Sequence, residues 1–400
     1  MNLILFDDET MRGNLLPLTF TRPVADIRIG ILTIREKWEK RLSTPSSTLT
    51  ETYLQAKYPI LIDSTRDHLW VNASICPNES LLAEIKAIKS GQALFKGSVL
   101  IALNSGKTPV HDQHGKLIVP DGTNEIEANS EFIRITTPWD IFKLNGEALQ
   151  EDYELLTKGR KSSPLSATNT ALGNNIFIEP GAKIECAILN SLTGPIYIGR
   201  EAEVMEGSII RGPFSLGEHS TLKMGAKIYG PTTVGPFCKA GGEISNSVLL
   251  GFSNKGHDGF LGNSVLGEWC NLGADTNNSN LKNNYGIVKM HNYLENKQIS
   301  TGLQFCGLVM GDHSKTGINT MLNTGTVVGV CANIFGGGFP STFVPDFSWG
   351  GTGGMEIYKL DKAIEVASRV LERRSLVLNE KDKNILSHIF KLTAGSRAEY

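Results

Sequence analysis

Between residues 198 and 240 an aliphatic or small apolar side chain returns at every sixth position: Ile198, Val204, Ile210, Leu216, Leu222, Ile228, Val234 and Ala240. The pattern recurs at Leu266 and Leu272, then at Met310, Leu322, Val328 and Ile334, with Thr316 filling the remaining place. Glycine often follows the aliphatic, as at Gly199, Gly217, Gly235, Gly267, Gly273, Gly311, Gly317 and Gly329. Four places after the aliphatic stands a small side chain, such as Ala202, Ser208, Ser220, Ala226, Thr232 or Cys238. Neither a helix, with its period of about 3.6, nor a single strand, with its period of 2, repeats in this way. Six residues suffice for one short strand and one sharp bend, so three such units close a triangular coil. The aliphatic then points into the prism, the small residue fits beside a corner, and glycine is expected to permit the tight turn. Stacked coils pair strand on strand and bury one continuous aliphatic column. An irregular glycine-rich all-β domain has no reason to place eight apolar residues in phase.

Glycine content follows the repeat: of 42 glycines, nine lie in residues 1–160 and only Gly395 lies beyond residue 354. The expected organisation is an α/β domain over 1–156, a linker over 157–172, a solenoid over 173–354 and a helical arm over 355–400. In the first segment, strand-like runs (LILF, PILID, SVLIAL, FIRIT) alternate with helical stretches (ILTIREKWEKRL, SLLAEIKAIKSG). In the last, Ile357, Leu360, Ile364, Ala367, Val370 and Leu371 share one helical face. Asn379 is a candidate cap for a second helix carrying Ile385, Leu386, Ile389 and Phe390. These helices are expected to form a lid over the solenoid end or a docking arm. The repeat breaks at about 241–265, which contains SNKGHDGF, and at about 277–305; loops leaving a rigid solenoid are where function concentrates.

Composition excludes several classes. The chain is 40% hydrophobic and 20% charged, with 39 basic against 41 acidic side chains and a net charge of −2. That balance gives no electrostatic reason to expect nucleic acid or an anionic membrane as the main partner. No apolar run approaches the roughly 20 residues of a bilayer span. The opening MNLILFDDET reads as a first strand and not as a signal peptide. Six well-separated cysteines without a CxxC pair fit a reducing cytoplasm. A cytoplasmic protein with neither nucleic-acid nor membrane partners is expected.

The blocks GHDGFLGNSVLGEWCNLGADTNNSNLK and CGLVMGDHSKTGINTMLNTGTVVG resemble the C-terminal half of bifunctional sugar-1-phosphate nucleotidyltransferase/acetyltransferases. The likeness is greatest to the UDP-N-acetylglucosamine pyrophosphorylase/glucosamine-1-phosphate N-acetyltransferase family and its archaeal sugar-phosphate relatives. The string RGNLLPLTFTRPVADIRIG is similar to the nucleotidyltransferase signature of the same family. The resemblance implies a nucleotidyltransferase-like α/β domain followed by a left-handed parallel β-helix of hexapeptide repeats and C-terminal helices. The left hand is implied by the family alone, since ordinary crossovers are right-handed.

The resemblance also assigns roles. The family's general base falls on His257, and an imidazole titrating near neutrality suits removal of an amine proton. Asn271 and Asn280 match asparagines that place the sugar and its amine. Lys289 stands at a phosphate-binding position, with Lys282 and Lys255 as other candidates. Phe260 replaces a tyrosine, which removes a hydroxyl donor. The stretch containing Lys315, Thr316, Gly317 and Thr320 resembles the one along which the pantetheine arm of acetyl-CoA lies, between neighbouring prisms of a homotrimer. Its backbone N–H groups are expected to polarise the thioester, and Lys315 to meet a coenzyme A phosphate. In the first domain Arg12 and Arg22 align with substrate-binding arginines. There FDDETMRG stands in place of the glycine-rich loop, Val24 replaces the signature lysine, and Asp7 and Asp8 are candidates for Mg²⁺ if this domain is active. Three functions stay open. One is N-acetylation of an amino-sugar 1-phosphate by acetyl-CoA, coupled to uridylyl transfer from UTP. The second is nucleotidyl transfer alone with the prism for assembly, and the third is a non-catalytic trimeric scaffold.

Overall fold

The computed structural model describes residues 2–63, 65, 67–107, 109–111 and 117–397. The chain divides into two compact units, one formed by Met1–Ile27 and Leu32–Thr137, the other by Arg28–Ile31 and Pro138–Tyr400.

The first unit is built on a six-stranded mixed sheet in the order Ser46–Leu49, Asn2–Phe6, His68–Asn72, Val99–Ser105, Gln92–Lys96, Asn124–Glu127. Asn2–Phe6 runs parallel to both its neighbours, and the Val99–Ser105 strand is antiparallel to both of its own. Ile4, Phe6, Trp70, Ala93 and Leu103 pack into a buried cluster. The two expected helices form at Ile34–Leu42 and Glu79–Ala87. Thr33 and Glu36 make a reciprocal capping box on the first, and Asn78 caps the second. PILID and FIRIT are not strands: the former lies outside every sheet, and the latter carries only an isolated bridge between Ile75 and Arg134. Leu61 and Ile62 of PILID are exposed, whereas all five residues of HLWVN, next along the chain, are buried. Hydrophobicity alone did not distinguish the run that reaches the sheet from the run that stays outside it.

The second unit is a parallel β-solenoid followed by two helices. One face holds nine parallel strands, from Ile176–Ile178 to Phe343–Val344. A second begins at Lys183–Ile184 and reaches Asn254–Lys255. It continues through single bridges at Asn271 to Lys315–Thr316, Asn333–Ile334 and Ser348–Gly351. The third runs from Thr170–Leu172 to Phe260–Gly262. All eight aliphatics of the 198–240 hexads lie in one buried column. The small residues between them are buried too, and where they are serines they bond to the stack. Ser208 donates to Lys223 O and Ser220 to Gly235 O.

The role expected for glycine after the aliphatic is corrected. The left-handed backbone at this corner falls on Glu201, His219, Phe237, Phe252, Trp269, His313, Cys331 and Phe347, and none of them is glycine. The glycines solve a different problem, that of close approach between coils. A Cβ on Gly235 would sit 2.1 Å from Leu250 O, and one on Gly217 would sit 2.5 Å from Gly235 C.

The expected interruption at 241–265 is also corrected, because the solenoid runs straight through it in strands Glu243–Ser245, Val248–Gly251, Asn254–Lys255 and Phe260–Gly262. Val234 pairs with Leu249 and Ala240 with Lys255, whereas Leu216 pairs with Val234 one coil earlier. The coil is shortened by three residues. The period breaks in sequence while the stack continues in space. The second interruption does leave the coil, and it carries an antiparallel hairpin of Lys289–Asn292 with Lys297–Ser300.

The outer sides of the three faces differ. On the nine-stranded face Thr233, Val248, Val265, Val309 and Val327 are all buried. Thr233 donates to Gly30 O, helix Pro138–Lys143 lies on strand Val265–Glu268, and the 289–300 hairpin lies on Thr326–Val328. The third face instead leaves Leu172, Ile188, Ile209 and Tyr229 exposed. Helices Leu360–Glu372 and Glu380–Leu392 form an arm along the corner of left-handed residues. There Arg374 donates to Phe237 O and Asn254 Oδ1, coils away from the C-terminal end. They flank the solenoid; they do not cap it.

Candidate active site

The turn between Asn254–Lys255 and Phe260–Gly262 carries His257 and Asp258, both exposed. The His257 imidazole has no hydrogen-bond partner among the described residues. Asp258 joins the next coil through its carbonyl, which accepts Asp275 N at 3.0 Å. Lys255 is not a surface cation. It is 1% exposed, points into the prism, and donates from Nζ to Gly241 O (3.1 Å) and His257 O (2.5 Å).

Phe260 and Asn280 are brought together. A Cβ on Gly262 would lie 2.5 Å from Phe260 Cζ and 2.7 Å from Asn280 Nδ2. Asn280 Nδ2 donates to Asn263 Oδ1 at 2.8 Å. Gly262 and Asn263 therefore belong to this surface; they lie inside the block GHDGFLGN, yet nothing in it singles them out, since a glycine that admits a neighbouring ring leaves no signal in sequence. Asn271 lies on the second face, bridged on one side to Asn254 and on the other to Lys315. Asn254 Nδ2 contacts Asn271 Oδ1 at 3.4 Å. Lys289 is exposed on the hairpin, opposite Ser300, and no contact joins it to His257. Lys282 turns back to Ile287 O.

The 311–320 stretch is already committed to the solenoid. Lys315 N, Thr316 N and Gly317 N donate to Ala332 O, Asn271 O and Ile334 O. These three N–H groups are spent in the ladder, which corrects the expectation that they meet a thioester carbonyl. Thr316 Oγ1 pairs with Thr276 Oγ1 at 2.8 Å, and Thr320 Oγ1 donates to Gly317 O. Lys315 Nζ donates to His313 O at 2.7 Å, and burial lowers its pKa. Beside it the corner residues His219, Phe237, Phe252, Trp269 and His313 stack in sequence, Phe252 and Trp269 with centroids 4.3 Å apart.

In the first unit Arg12 and Arg22 are buried. Arg12 bonds to Glu51, Thr19 O and Tyr53 OH, and Arg22 donates to Leu18 O. Asp8 caps helix Glu9–Asn14 by accepting from Met11 N. Asp7 accepts from Val24 N and from Thr50, and burial raises its pKa to about 6. Both Asp7 oxygens are engaged within the unit, so Asp7 does not present an open carboxylate for Mg²⁺. Among the described residues no group of three or more His, Cys, Asp or Glu is placed to hold a metal.

A glycine-poor α/β unit followed by a hexad-repeat solenoid defines a two-part class of protein. Residues 3–161 match the family model of sugar nucleotidyl transferases. The chain is 32% identical over 181 residues to a bifunctional sugar-1-phosphate nucleotidylyltransferase/acetyltransferase of Sulfurisphaera tokodaii, covering 45% of this chain and 44% of that relative. It is 26% identical over 240 residues to the bifunctional protein GlmU of Methanococcus vannielii, covering 58% and 49%. The chain thus spans about half the length of the curated relatives it matches. Among solved structures it is similar to the polySia-specific acetyltransferase NeuO at 15% identity, with a TM-score of 0.27, over 57% of this chain and all of that one. That last likeness is too loose to argue from.

Proposed function

We propose that this chain transfers the acetyl group of acetyl-CoA to the amine of an amino-sugar 1-phosphate, glucosamine 1-phosphate in the first instance. Uridylyl transfer to the product, giving a UDP-sugar, would belong to the N-terminal unit. The observation that carries the reading is the exposed imidazole of His257, without a protein partner, in a turn that leads into the surface formed by Phe260 and Asn280. In the transfer the amine nitrogen attacks the thioester carbonyl and the C–S bond breaks. His257 takes the proton that the nitrogen loses and returns it to the leaving sulfur. Asn271 and Asn280 place the sugar, and Lys289 and Phe260 border the sugar phosphate. Coenzyme A lies along the face that carries Lys315. Oxyanion stabilisation must come from groups other than the N–H donors of residues 315–317.

An exposed base is useful only where water is excluded, and one chain leaves His257 open. A homotrimer supplies the missing wall. The solenoid face bearing Leu172, Ile188 and Ile209 leaves these apolar side chains exposed, and exposed apolar surface marks association. None of the six cysteines forms a disulfide, in keeping with a cytoplasmic setting; no helix among the described residues is long and apolar enough to cross a membrane. The match of residues 3–161 to sugar nucleotidyl transferases favours a second reading, in which nucleotidyl transfer is the sole activity and the solenoid serves assembly.

The test mixes the protein with acetyl-CoA and glucosamine 1-phosphate and titrates released thiol. His257→Ala is expected to lower the rate by about 10²- to 10⁴-fold without loss of fold, since the ring supports no other side chain. Pyrophosphate release from UTP without thiol release favours the second reading. Neither signal above that of the variant leaves a scaffold.

A further inference from the structure

The interior place that Ala240 holds in one coil is taken in the next by Lys255, its direct strand partner. Elsewhere this interior is apolar, with Ile, Val, Leu, Met, Ala, Cys and Phe, apart from Thr316, a buried hydroxyl and not a charge. No carboxylate lies within ion-pair distance of Lys255 among the described residues. Asp258 and Asp275 act on it only through space, and burial lowers its pKa to about 8. A buried ammonium without a counter-ion is costly unless its three N–H donors are used. Here two are used, on Gly241 O and His257 O. Neither carbonyl takes a backbone N–H among the described residues. They flank the strand pair where the coil is three residues short, so the ladder fails at this corner and the lysine supplies the missing donors.

We propose that Lys255 is a positioning residue whose buried ammonium clamps the carbonyls of Gly241 and His257, and so fixes the backbone from which the His257 ring leaves the solenoid. This rests on the reading of His257 as the base. The clamp explains how a turn of glycines and exposed side chains, Gly256–His257–Asp258–Gly259, can hold an imidazole in one direction. Such a turn has little side-chain packing of its own. An aliphatic at 255 would fill the column equally well and leave both carbonyls without a donor.

The test compares the full-length protein with Lys255→Met, which keeps the volume and loses the donors, and with Lys255→Arg, which keeps them. Hydrogen exchange at residues 256–260 is expected to quicken at least about tenfold in the Met variant. Exchange in the 198–240 coils stays unchanged. In the acetyl-transfer assay kcat falls about 10- to 100-fold while KM stays within about twofold, because a displaced base leaves sugar binding intact. The Arg variant recovers part of both. Should the Met variant fail to fold, the same comparison is made with Lys255→Ala, the residue its strand partner carries, which also lacks the donors. Unchanged exchange at 256–260 overturns the proposal whether or not the wild type transfers acetyl groups. Quickened exchange with unchanged kcat in an active enzyme overturns it as well. Quickened exchange in a wild type that releases no thiol supports the clamp and removes the base reading instead.

Discussion

Gly242 shows how a single backbone position governs the candidate site. Its φ is +71°, and a Cβ there would lie 2.7 Å from His257 O and 2.8 Å from Gly259 O. Gly242→Ala is expected to lower stability by more than about 1 kcal/mol, read from the thermal midpoint, and to displace the turn that carries His257. Asp346 sets a pH dependence. It is fully buried, accepts from Val330 N and Tyr293 OH, and burial raises its pKa from 3.8 to about 6. The folded protein thus holds this proton to higher pH than the unfolded chain does. Stability falls as pH rises between about 4 and 6, by about 2–3 kcal/mol from this group, and Asp7 acts in the same direction. Asp346→Asn removes its share: the midpoint of the variant relative to wild type is expected to be higher at pH 7 than at pH 4.5. Equal differences at the two values would count against it. Residues of this kind were invisible in sequence, since neither aspartate stands in a pattern that announces burial.

Among the elements, the arm and the solenoid were legible to different degrees. The amphipathic spacing of residues 357–371 and the Asn379 cap predict two helices, and both form, but Ile357 is corrected: it ends an exposed strand, Gly354–Ile357, ahead of the helix. Their docking place was not legible. It depends on Arg374, which sits 6.0 Å from the Phe252 ring and bonds to Phe237 O and Asn254 Oδ1. Nothing in the helical pattern singles that arginine out. Arg374→Ala is expected to cost about 1–3 kcal/mol of local stability and to quicken protease cleavage at the connection between the helices, with little change in the global midpoint. If cleavage is unchanged, docking rests on the apolar face alone. The shortened coil at 241–265 teaches the same lesson for strands. Pairing is set by neighbours in space, so three deleted residues shift the phase of the repeat without opening the stack.

At the scale of the molecule, one chain leaves Ile188 and Ile209 exposed on a solenoid face and its candidate base open to solvent. The proposed assembly would answer both at once. Ile209→Asp, on the open face, is expected to shift sedimentation at micromolar concentration from trimer toward monomer and to reduce acetyl transfer in parallel. A wild type already monomeric would sink the shared site. The hexad period alone was enough to specify a stacked coil, because a side chain recurring every six residues can be buried continuously only if the chain closes on itself in three strands. The same local regularity carries no record of which coil meets which when the spacing changes, of which lysine turns inward, or of which arginines are already engaged. Those outcomes arise from contacts between residues far apart in the chain. Lys255 has the composition of a surface residue and becomes an interior one because its strand partner is Ala240, a pairing that exists once the coils are stacked.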